Sequence, residues 1–195
     1  MRYLARTRRE LGFPTPFNVL GPLTNPVVPD RAVIGVHSKT LGPVMAEALK
    51  TLGRRNYAVV CGDENLDEIS IAGLSHVWHI QQDGEIKNYT IHPQDFGVPC
   101  HPLSAAVGST LEDNVATLKR LLGNELEDRD VPIRDFVLVN TGFLLFVAGV
   151  AESMKEGAAL ARIALESGKA HALLKDFAQT TQTLKAEEEV KAAEH

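Results

Sequence analysis

Three segments constrain this 195-residue chain more than any others: the apolar run Ala32-Val33-Ile34-Gly35-Val36, the stretch from Thr40 to Leu52, and a second apolar run, Tyr57-Ala58-Val59-Val60-Cys61. In the middle segment Leu41, Met45, Ala48, Leu49 and Leu52 recur on one helical face, and Gly53 stops the helix. Strand, helix and strand within about 30 residues make a βαβ unit, which requires parallel strands. Val77–Gln81 and Glu85–Ile91 flank Asp83-Gly84, the signal of an antiparallel hairpin. The second half reads as helical. Ser109-Thr110-Leu111-Glu112 is a capping box before a helix ending at Gly123, Ile133–Ala148 is an apolar central helix, and Ser153-Met154-Lys155-Glu156 opens a last helical hairpin. The predicted fold is α/β: a partial sheet of mainly parallel strands with a hairpin, flanked by helices. Residues 1–184 form one unit, and 185–195 form a charged, frayed, solvated tail.

Composition narrows the function classes. Hydrophobic residues at 44% and charged residues at 23% suit an ordinary globular core and exclude disordered or fibrous chains. The net charge of −5 argues against a nucleic-acid surface. Arg2, Arg6, Arg8 and Arg9 sit in a predicted short basic helix, Arg2–Leu11, so the rest of the chain is more acidic still. That head carries no apolar stretch, hence no signal peptide. The uncharged apolar run Phe136–Ala151 is shorter than the ~20 apolar residues of a membrane span. The expected setting is the cytoplasm, with no membrane partner. Cys61 is expected to be a buried thiol and Cys100 a loop thiol, with no disulfide between them.

Two places can carry chemistry. Gly62-Asp63-Glu64-Asn65-Leu66-Asp67-Glu68-Ile69-Ser70 follows the second strand and puts four carboxylates within six residues. It lies at the carboxyl end of a parallel strand, where open α/β sheets bind ligands. Ionised neighbours repel unless a cation or solvent screens them. The spacing excludes an EF-hand, because Glu68 stands where that loop needs glycine. A solvated acidic turn and a Mg²⁺ site both remain open from spacing alone. The second place is the segment Phe13–Asp30, which holds half of the prolines and is expected to be a loop, neither helix nor central strand. Within it, Gly21-Pro22-Leu23-Thr24-Asn25-Pro26 combines a hinge with close backbone approach, and Arg8 and Arg9 precede it with guanidinium groups suited to a carboxylate or phosphate. A structural turn beside exposed arginines is the alternative. His76 and His79, three apart in a strand, point to opposite faces and form no ligand pair.

Arg8-Arg9-Glu10-Leu11-Gly12, Thr15, Phe17-Asn18, Leu20–Pro26, Asp67-Glu68-Ile69-Ser70, Asp95-Phe96-Gly97, Asn140–Gly149 and Glu156–Leu174, in this order, resemble the anthranilate phosphoribosyltransferases. The resemblance implies the large α/β domain of that family and of the nucleoside phosphorylases. It also implies a tryptophan-biosynthetic reaction: anthranilate and 5-phosphoribosyl-1-diphosphate give N-(5-phosphoribosyl)anthranilate and diphosphate. Carried over by position, Arg8 would hold anthranilate, Gly21 and Pro22 would form the hinge beside it, and Asp67 and Glu68 would bind Mg²⁺ on the diphosphate. The family's helical N-terminal domain and Gly-rich phosphate loop have no counterpart in this sequence, which implies a truncated chain with little activity alone. A homodimer, or pairing with a full-length relative, is the expected assembly. The alternative function is a non-catalytic interaction or nucleic-acid-binding relative of the same fold.

Overall fold

The computed structural model describes residues 17–193; the predicted basic helix Arg2–Leu11 lies outside them. Strands β1 (Ala32–Gly35), β2 (Tyr57–Gly62), β3 (Ser75–Ile80) and β4 (Ile86–Ile91) form one sheet in that spatial order. β1 and β2 are parallel, with Ala32 opposite Tyr57 and Gly35 opposite Val60. β2–β3 and β3–β4 are antiparallel, so the sheet is mixed. The βαβ reading holds: helix α2 (Leu41–Thr51) crosses between β1 and β2. Gly53 follows it at φ +78°, a conformation glycine adopts without strain. Leu52 departs from expectation. It caps the helix and is exposed instead of lying on the buried face.

All six residues of β2 are buried, so it is the centre of the core. Alternation sends Ala58 and Val60 to one face, and Tyr57, Val59 and Cys61 to the other. The first face packs against helices α4 (Val131–Val147) and α5 (Met154–Glu166), through Val139, Phe143, Val147 and Ala158. The second packs against α2 through Met45, Ala46 and Leu49. This is a helix–sheet–helix sandwich.

α4 and α5 touch backbone to backbone, because Gly142 and Gly157 meet where they cross. A Cβ on Gly142 would come 2.6 Å from the Ala158 nitrogen.

Two expectations are corrected here. The segment Phe13–Asp30 contains helix α1 (Phe17–Thr24), with Pro22 inside it. Pro16 precedes this helix and Pro26 follows it. Pro22 alone is internal, where it removes one backbone donor of a short element whose Leu23 packs on the core. The helix ends before Asn25, whose side chain accepts from the Val27 amide at 3.0 Å and turns the chain. The tail is helical instead of frayed over its described part: α6 (Lys169–Ala193) continues through residues 185–193.

The capping of α3 (Leu111–Gly123) is displaced by one residue from the Ser109/Glu112 reading. Thr110 is the N-cap and accepts from the Asp113 amide at 3.2 Å. Ser153 caps α5 as expected, with Glu156 reaching back to the Glu152 amide. Both cysteines are free, Cys61 buried and Cys100 exposed.

Candidate active site at the carboxyl edge of the sheet

Because β1 and β2 are parallel, their carboxyl ends, Gly35 and Gly62, lie at the same edge of the sheet. The acidic segment begins there. The Gly62 amide donates to the Leu66 carbonyl at 2.8 Å and the Asn65 amide to the Gly62 carbonyl at 3.0 Å, closing a tight turn with Asn65 at φ +59°.

The four carboxylates do not act alike. Asp63 is paired with Lys39 at 2.6 Å and His76 at 2.9 Å, and these partners hold its carboxyl below the usual range. Asp67 and Glu68 stand one turn further on, both on the surface. Partial burial of its carboxyl pushes Glu68 up, and the charge of Asp67 adds to the shift. A cation between them would relieve that repulsion. Among the described residues no three His, Cys, Asp or Glu groups cluster to cage a metal. Two adjacent carboxylates without a third protein ligand suit Mg²⁺, which keeps waters and takes its other ligands from phosphate oxygens. The residues present therefore fit that ion.

A groove of about 460 Å³ runs beside β1. Gly21 and Pro22 from α1 line it, together with Asn25, Arg54, Tyr57 and the β1 residues through Gly35. Asp67 and Glu68 do not line it. Gly35 connects the two places: it lines the groove, and a Cβ on it would overlap the Asp67 carbonyl. Gly21 and Pro22 thus line the groove along β1, and Asp67 and Glu68 lie outside it, next to Gly35 at its end. Arg8 lies outside the described residues.

Sequence reasoning missed Arg54, Gly35 and Asn140 as parts of this region. Arg54 sits beyond the Gly53 stop of α2, where it reads as an ordinary surface cation. Asn140 is the one amide side chain in the apolar run Val137–Phe146 of α4, and its signals were that polar intrusion and its place at the start of the Asn140–Gly149 stretch of the family resemblance. His101 and Asp135 form a further pair at 2.8 Å, tying the loop after β4 to α4. His76, set aside as a ligand, is instead the partner of Asp63.

Residues 1–171 match the glycosyl transferase family, a/b domain. An anthranilate phosphoribosyltransferase of Schizosaccharomyces pombe is 42% identical over 182 residues, covering 93% of this chain and 51% of that protein. The enzyme of that name from Hyphomonas neptunium is 40% identical over 181 residues, with coverage of 93% and 52%. Among solved structures, the anthranilate phosphoribosyltransferase of Saccharomyces cerevisiae in complex with PRPP and Mg superposes with a TM-score of 0.83 at 33% identity, covering 94% of this chain and 52% of that one. The enzyme of that name from Thermus thermophilus gives a TM-score of 0.79 at 40% identity, with coverage of 91% and 51%. The chain spans about half the length of the relatives it matches.

Proposed function

The chain belongs to the glycosyl transferase family through its a/b domain, and from that premise we propose that it serves an anthranilate phosphoribosyltransferase reaction. The nitrogen of anthranilate bonds to the ribosyl C1 of 5-phosphoribosyl-1-diphosphate. The bond from C1 to diphosphate breaks, its electron pair leaves with the diphosphate, and the amine gives up a proton. The observation that carries this reading is the acidic couple Asp67–Glu68 at the carboxyl edge of the sheet, next to the groove that holds Gly21 and Pro22.

Asp67 and Glu68 would hold Mg²⁺, which when bound neutralises charge on the diphosphate. Gly21 and Pro22 would wall the acceptor side, with Arg8 supplying a guanidinium to the anthranilate carboxylate. No nucleophilic side chain is required; the work is positioning and charge neutralisation. The open edge of β1, paired only with β2 among the described residues, offers backbone groups to a further strand, so a second polypeptide or a longer form of the chain would complete the sheet there. Two free cysteines suit a reducing cytoplasm.

The test follows loss of anthranilate in the presence of phosphoribosyl diphosphate and Mg²⁺, with the chain alone and with the N-terminal half of the fission-yeast relative added. Turnover is expected in the mixture, reduced on the order of a hundredfold by Asp67→Asn or Glu68→Gln, about 2.7 kcal/mol of barrier. Turnover indifferent to both substitutions would refute the assignment.

A further inference from the structure

We propose that Asn140 is a positioning residue for the acidic pair: its amide clamps the backbone immediately after Glu68 and sets where both carboxylates point. This rests on the reading of Asp67 and Glu68 as the Mg²⁺-binding pair. The Asn140 Oδ1 accepts from the Ile69 amide at 3.0 Å, and its Nδ2 donates to the Ile69 carbonyl at 3.1 Å and the Phe136 carbonyl at 3.1 Å. One side chain thus engages both backbone groups of one residue, 71 positions away in sequence. That arrangement orients the peptide planes on either side of Ile69, and the first of them is the plane that Glu68 carries.

The surroundings make the clamp rigid. Ile69 and Ser70 are fully buried, and the Ser70 amide donates to Ser75 Oγ at 2.9 Å. Between the two residues the Asp67 carbonyl lies against Gly35, with no room for a Cβ, and before them the Leu66 carbonyl accepts from the Gly62 amide at 2.8 Å. Asp67 and Glu68 are therefore exposed side chains on a backbone fixed at both ends. An amide in the middle of an apolar helix is costly unless its hydrogen bonds are met, and here two of the three go to the backbone of this turn and the third to the Phe136 carbonyl of its own helix. A ligand pair so anchored loses less freedom when it takes up an ion, and outer groups that orient ligands affect metal affinity strongly.

The test uses Mn²⁺ alone as the probe, titrated into the intact chain while backbone amide signals of residues 63–70 are followed by NMR. Mn²⁺ is expected to broaden Asp67, Glu68 and Ile69 first. Asp67→Asn should weaken the apparent Kd on the order of tenfold, and Asn140→Leu by a similar factor, with the fold retained. Combining the two should cost less than the product of the single effects, because Asn140 acts through the pair. A merely structural role predicts lower stability for Asn140→Leu with an unchanged Kd, and that result overturns the proposal. Should Asn140→Leu fail to fold, Asn140→Gln decides: its displaced amide should weaken Mn²⁺ binding measurably, and parental affinity would overturn the clamp. Absence of Mn²⁺ binding in the parent, or indifference to Asp67→Asn, would instead refute the metal reading itself.

Discussion

Asp130 shows how one residue organises the helical half. Its carboxylate accepts from Arg120 Nε and Nη2, each at 2.7 Å, and from the Glu127 amide at 3.1 Å. The Arg120 side-chain hydrogen bonds are the main cause holding its carboxyl down at about 2, against an ordinary 3.8. A carboxyl depressed in the folded state stabilises above its unfolded pKa and loses that contribution as it is protonated. Stability is therefore expected to fall as pH drops from about 4 towards 2, read by thermal melting. Asp130→Asn should remove most of that slope and cost about 2 kcal/mol at neutral pH, because it leaves the half-buried Arg120 guanidinium with its hydrogen bonds half-met.

At the scale of elements, the crossing of α4 and α5 is a backbone-to-backbone contact that one methyl group would spoil. Gly142→Ala puts a methyl into the Ala158 backbone and should cost about 1–3 kcal/mol by chemical denaturation, as overpacking does. Gly21→Ala is the control. Among the described residues nothing lies within 4 Å of the Cβ it would gain, so stability should hold or rise slightly, since alanine favours helix. A small loss at Gly142 would mean that α4 and α5 can separate without strain. The contrast also separates glycines kept for packing from one placed beside the groove.

For the whole molecule, the sheet decides stability. β2 is buried along its length, while β1 and β4 are the edges, so β2 amides should exchange slowest with solvent. The β3–β4 hairpin carries His79, half-buried near Tyr89 and Phe146, with its Nδ1 3.1 Å from the Tyr89 hydroxyl. Burial first, then the charge of Lys87, push this imidazole below its ordinary 6.5. Protonation then favours the unfolded chain, so stability should begin to fall as pH drops below about 6.5, well above the Asp130 range. His79→Phe, which keeps the ring's apolar contacts, should flatten that part of the profile.

The parts governed by local periodicity can be read from the residue pattern alone. The apolar runs at 32–36 and 57–61, the amphipathic segment between them, the Asp83-Gly84 turn and the Ser153 cap depend on neighbours a few residues away, and each lies where its pattern put it. The acidic segment was legible for the same reason, as four carboxylates after a buried strand, but spacing left a solvated turn and a Mg²⁺ site both open, and the choice of Asp67 and Glu68 came from the family resemblance. Only the tertiary structure decided which carboxylate is claimed by ion pairs. Lys39 and His76 take Asp63 from two different elements, and Asn140, 71 residues beyond Ile69, fixes the turn that leaves Asp67 and Glu68 exposed. It also made a helix of Phe17–Thr24, because packing of Leu23 on the core outweighs the one donor that Pro22 withholds. Contacts between residues far apart in the chain leave no local pattern, since their energy appears only when the folded backbone brings them within a few ångströms.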